Sequence, residues 1–129
     1  MAVYEVLTLI IMHLFADFCI QTKNQAMSKS SNNKMLASHV TDYTFFMTLV
    51  FTILCLLISP KDLFGKQALF AIITWSFHFG TEYVSSRLTK AAREREKYYG
   101  INGFFAVIAY DQMLHFIQIF LTYYYLLYS

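Results

Sequence analysis

The sequence predicts an all-α polytopic membrane protein, with four transmembrane helices in an antiparallel bundle and both termini on the outer side. Three observations lead there. The 129 residues are 57% hydrophobic and 19% aromatic, with only 14% charged. Four apolar runs are each long enough to cross hydrocarbon about 30 Å thick at roughly 1.5 Å per residue. Four glycines and one proline leave little of the turn grammar that β-structure needs.

The spans are expected at Ala2–Gln21, Met35–Ile58, Gln67–Ser86 and Phe104–Tyr128, and together they make one domain over residues 1–129. The first lacks a basic leading region and a small-residue cleavage site, so it reads as a span and not as a cleaved signal. Between the first two spans, "TKNQAMSKSSNNK" is polar and offers Ser30 to Asn33 as caps for the next helix. In "SPKDLFGK", Ser59 is expected at an N-cap, Pro60 at the first helical position and Asp62 in the first turn. The third helix should continue beyond its span through "SRLTKAAREREKYY" and end near Gly100, where "GING" breaks it.

Charge sets the orientation. Lys23, Lys29 and Lys34 fall in the first loop, and Arg87, Lys90, Arg93, Arg95 and Lys97 in the third; only Lys61 and Lys66 fall in the second. The positive-inside rule therefore places loops 22–34 and 87–103 in the cytoplasm. The tail "TYYYLLYS" is expected to form an aromatic belt at the outer interface. Basic residues cluster in loops and not on an aromatic-interleaved face, which excludes a nucleic-acid partner. Cys19 and Cys55 are too few and too embedded in apolar runs for a disulfide scaffold or zinc ribbon.

Against this apolar background, all four histidines lie inside spans, and each has a carboxylate one turn away. The pairs are His13 with Asp17, His39 with Asp42, His78 with Glu82, and Asp111 with His115. Residues three or four apart share a helix face. Counted from the cytoplasmic ends, Asp17, His39, Asp42, Glu82 and Asp111 come out roughly 6–10 Å deep, and His13, His78 and His115 roughly 12–16 Å deep. Eight such groups facing lipid would cost on the order of 20 kcal/mol, against a typical folding stability of about 5–15 kcal/mol. They are therefore expected to face one another within the cytoplasmic leaflet. Gln21, Thr74, Thr81, Ser85, Gln118 and Thr122 extend the same polar stripes.

Neutral imidazole and carboxylate are ligands for Zn²⁺ and related divalent ions, and helical bundles build such sites from facing helices. The expected metal ligands are His13, Asp17, His39, His78, Glu82, Asp111 and His115, with the deeper tier of three histidines holding one Zn²⁺. Asp17, Glu82 and Asp111 are then candidates for the catalytic role of general base. The matching chemistry is metal-dependent hydrolysis of a lipid or lipid-linked substrate reaching the site laterally from the bilayer. Two alternatives remain open: a proton or ion relay, and a structural polar network fixing helix register in a non-enzymatic protein that binds a host membrane partner or a second copy of itself. Cys19, two residues from Asp17, falls on another face, and Trp75 reads as packing.

The segments "HLFADFCIQT", "ASHVTDYTF", "HFGTEYVSSRLTK" and "DQMLHF" together resemble a family of small phage and bacterial membrane proteins known as domain of unknown function 3307. The resemblance implies a bacterial cytoplasmic membrane location and a phage or prophage origin, and it implies no particular activity. Its pattern falls on His13, Asp17, Gln21, His39, His78, Asp111, Gln112 and His115. Glu82 departs from it, because the family usually carries the shorter aspartate there.

Overall fold

The computed structural model describes residues 1–99 and 103–129, and every regular element among them is a helix. There are five: α1 (Val3–Phe18), α2 (Lys23–Ser28), α3 (Asn33–Ile58), α4 (Leu63–Tyr99) and α5 (Gly103–Tyr128). Four transmembrane helices were expected; four helices of 16 to 37 residues are present, of which α3 and α5 are long and apolar enough to cross a membrane. The addition is α2, a short helix in the first polar loop. Thr22 starts it through a capping box, its hydroxyl accepting from the Gln25 amide at 3.2 Å while the Gln25 side chain accepts from the Thr22 amide at 2.8 Å. Because the chain turns here, α1 stops at Phe18 and does not run on to Gln21.

Asn32 caps α3, its side chain accepting from the amides of Lys34 and Met35. At the far end the expected helix start is overturned. Ser59 is the C-cap of α3, with its amide bonded to the Cys55 carbonyl, and α4 begins only at Leu63. Pro60 therefore lies between helices and not at a first helical position. Its ring disfavours a helical Ser59, which takes φ −152°, ψ 78°, and this ends α3. Asp62 takes a left-handed φ of 52°, a conformation aspartate tolerates better than most residues, and its carbonyl receives the Lys66 amide at 3.0 Å. Helix α4 does continue through the basic segment as far as Tyr99; the expected break at Gly100 lies outside the described residues.

Around the bundle, α1 packs against α3 and α5, and α4 packs against the same two helices, so α1 and α4 lie across the diagonal from each other. One layer of the interior is apolar: Leu9, Met47, Phe51, Phe70 and Ile119 are fully buried, and Phe51 stacks on Phe70 with ring centroids 4.4 Å apart. Polar groups are buried on both sides of it. All four histidines, Glu5, Asp17, Glu82, Asp111, Gln118 and Thr74 are buried, while Phe45, Ile53, Leu57, Ile72, Phe77 and Leu121 are more than half exposed. Soluble domains bury their apolar groups and leave charges in water; here the distribution is turned inside out. Helices α3 and α5 are long and apolar enough to cross a membrane by length and composition.

Candidate metal centre

Each long helix delivers part of one central cluster. From α1 come His13 and Asp17, from α3 His39, from α4 His78 and Glu82, and from α5 Asp111 and His115; all seven are buried. The eighth member of the sequence constellation is not among them. Asp42 is exposed, and its carboxylate accepts from Gln25 Nε2 at 2.7 Å. Three residues after His39 the helix has turned Asp42 toward α2, whose Gln25 also donates to Ser38 at 2.9 Å. The His39–Asp42 pair is thus a latch for α2 on one side and a core ligand on the other.

The acid that does meet His39 comes from another helix. Asp17 Oδ1 lies 3.2 Å from His39 Nε2 and 3.6 Å from His78 Nε2, while Glu82 Oε1 lies 3.8 Å from His39 Nε2. One ligand atom from each of Asp17, His39, His78 and Glu82 falls within 4.8 Å of the others, and so does one from each of His13, Asp17 and His115. Asp17 belongs to both groups. The expected deep tier of His13, His78 and His115 is not one of them; Asp17 instead joins histidines of both expected depths. Asp111 stands beside the second group, its Oδ2 3.6 Å from His115 Nδ1.

Hydrogen bonding divides the histidines. His13 is fully committed: Nδ1 accepts from the Tyr43 hydroxyl at 2.6 Å, and Nε2–H donates to Gln112 Oε1 at 2.8 Å. That assignment makes it a neutral imidazole of one tautomer. Gln112 passes the chain on, donating to Asp17 Oδ2 at 2.7 Å. Among the described residues, by contrast, His78 and His115 have no hydrogen-bond partner on either ring nitrogen, and Asp111 Oδ1 has none either. Buried polar atoms are nearly always paired, so five orphaned atoms on three residues mark a place suited to a further ligand. Stacking holds the two free rings in place. Tyr43 lies parallel to His78 with centroids 3.9 Å apart, and His115 lies 4.1 Å from His78 on the other side.

The composition of the cluster, buried imidazoles and carboxylates, suits a divalent ion such as Zn²⁺. Lys29, the C-cap of α2, reaches over the cluster and pairs with Glu82 at 3.0 Å. The buried carboxylate is thereby matched with a cation without a change in the ligand set. Cys19 is exposed, as its offset from Asp17 predicts, and Trp75 is a packing residue that bonds Thr41 at 3.1 Å and stacks on Phe79.

Sequence reasoning missed four participants. Tyr43 stands one turn beyond His39 and carried the same spacing signal, but a tyrosine in a span reads as apolar bulk. Lys29 and Gln25 gave no signal, since only the unforeseen α2 brings them in. Glu5 forms a second buried polar knot with Tyr123 at 2.8 Å, Tyr128 at 2.6 Å and the Ala2 amide at 2.9 Å. Tyr123 is consequently buried and does not belong to the expected aromatic belt, whereas Tyr124 and Tyr125 are exposed.

These features define an all-helical bundle whose core is a histidine and carboxylate cluster able to hold a metal ion. The chain belongs to the family described as protein of unknown function (DUF3307), which matches residues 6–129. No curated protein and no solved structure matches it.

Proposed function

We propose that this protein is a multi-pass protein of the bacterial cytoplasmic membrane that holds a divalent metal ion, Zn²⁺ first among candidates, and hydrolyses a lipid or lipid-linked substrate with it. In this reading all four long helices span the bilayer, with loops 22–34 and 87–103 on the cytoplasmic side. The inverted distribution of polarity supports the membrane, because a water-exposed apolar surface of this extent would drive aggregation.

The observation that carries the metal is the convergence of Asp17, His39, His78 and Glu82 within 4.8 Å, with both His78 nitrogens free of other bonds. A divalent ion bound there supplies Lewis acidity toward a carbonyl or phosphoryl oxygen. Asp111 is the residue placed to take a proton from attacking water: it lies on the wall of an adjoining cavity of about 540 Å³, and its Oδ1 is unpaired. Lys29 pairs with Glu82 Oε1 at 3.0 Å and balances its charge. Metal analysis of the detergent-purified protein tests the reading: about one divalent ion per chain is expected, lost in His78→Ala, and a metal-free wild type overturns it.

The closed chain Tyr43–His13–Gln112–Asp17 favours a second reading, in which the network fixes helix register or relays protons without a metal. A folded, metal-free protein that drives pH-dependent ion flux in liposomes selects the relay. One that does neither is structural and acts by binding a host membrane partner or another copy of itself.

A further inference from the structure

The cavity beside the cluster and a groove on the bundle surface share two wall residues, Ser85 and Asp111. The cavity is polar and charged. Lys29, Lys90 and Arg93 stand against Asp17, Glu82 and Asp111, so its charged side chains balance. Two of its other polar groups, Ser86 Oγ and Gln21 Oε1, are buried without partners. The groove, about 630 Å³ between α4 and α5, is walled mainly by Phe77, Val84, Leu88, Val107 and Leu114 and opens on the outside of the bundle.

We propose that the cavity and the groove together bind one amphiphile, a lipid with a phosphate monoester headgroup, whose chain lies between α4 and α5 and whose phosphate enters the cavity. This rests on the metal reading above, for a reason of charge. A divalent ion added to a balanced set of side chains leaves an excess of about two positive charges, which a phosphate monoester carrying about −1.5 to −2 neutralises. Lys90 and Arg93, both exposed, stand at the cavity wall away from the metal ligands, and the unpaired Ser86 hydroxyl supplies a donor to phosphate oxygen. A neutral lipid would fill the groove and leave these groups unanswered. Free phosphate would satisfy the cavity and leave the groove empty.

Gly80 lies on the groove wall, and a Cβ there meets nothing within 4 Å. Gly80→Phe therefore adds bulk to the groove wall at a position with room for its Cβ. Native mass spectrometry of the full chain in detergent, with phosphatidic acid, diacylglycerol and inorganic phosphate as probes, tests the assignment. Phosphatidic acid should bind at least about tenfold more tightly than either other probe. Gly80→Phe should weaken phosphatidic acid by about fivefold or more and leave inorganic phosphate unchanged; Lys90→Glu should weaken both. Diacylglycerol binding equal to phosphatidic acid, inorganic phosphate binding equal to it, or indifference to Gly80→Phe each overturns the proposal. Metal content read on the same samples separates the two claims. Lost lipid discrimination with full metal sinks the lipid assignment alone, whereas a metal-free protein sinks the metal centre and, with it, the charge argument for a phosphate headgroup.

Discussion

Asp17 Oδ1 lies 3.2 Å from His39 Nε2, although the two residues sit on different helices and each has a nearer opposite number in sequence. His13, one turn from Asp17, turns instead to Tyr43 and Gln112, and Asp42, three residues beyond His39, turns to Gln25. The contacts of Asp17 and His39 are therefore made between helices, while His115 keeps its neighbour Asp111 within α5 at 3.6 Å. Across the diagonal between α1 and α4, Asp17 Oδ1 also approaches His78 Nε2 to 3.6 Å.

The first prediction concerns that shared carboxylate. Asp17→Asn removes an anionic ligand from both groups at once, and bound metal should fall to background by elemental analysis. Asp42→Asn, outside the cluster, should leave metal content at the wild-type value, which makes it the matched control.

Removing the Tyr43 hydroxyl should separate stability from ligation. Tyr43→Phe leaves His13 Nδ1 buried without its donor, at a cost of about 1–3 kcal/mol. A lowered thermal midpoint in detergent with metal content retained is the expected outcome. Loss of metal instead would show that His13 is held by Tyr43 for ligation.

Glu5 should behave as an independent unit. Glu5→Gln cannot accept all the bonds from Tyr123, Tyr128 and the Ala2 amide, and is expected to cost about 1–3 kcal/mol of stability. Metal content and its pH dependence should not change, since none of these residues joins either ligand group.

Acidification should strip the ion proposed for this cluster. Imidazole and carboxylate bind metal only when deprotonated, so affinity falls as protons compete for the same lone pairs. Titrating the purified protein downward from neutral pH should release the metal cooperatively with loss of any hydrolytic activity. Restoring neutral pH with Zn²⁺ present should recover both.

Orientation is testable with cysteines. In a protein with Cys19 and Cys55 replaced by alanine, Lys23→Cys and Lys61→Cys both place a thiol at an exposed position. By the positive-inside rule, an impermeant maleimide should label Lys61→Cys in right-side-out vesicles and Lys23→Cys in inverted ones. Labelling of both from one side removes the four-span topology.

Much of this was open to reading from the residues alone, for a reason particular to apolar chains. Where nearly everything is Leu, Ile and Phe, a buried His or Asp costs so much that its presence announces a partner, and helical spacing says which face it shares. His13, Asp17, His39, His78, Glu82, Asp111 and His115 were legible as one core on that ground, as were four helical segments, a cap for α3 somewhere in Ser30–Asn33 and the extension of α4. Spacing within a helix says nothing, however, about which helix supplies the partner. Only the packing of four helices decided that His39 meets Asp17, that Asp42 leaves the core for Gln25, and that Asp17 serves two groups. The short α2 depended on a capping box in a segment that looked like linker, and with it came Lys29 over Glu82. Local propensity and the cost of burying charge act along the chain and can be read from it, whereas side-chain convergence depends on distances that exist only once the helices have packed.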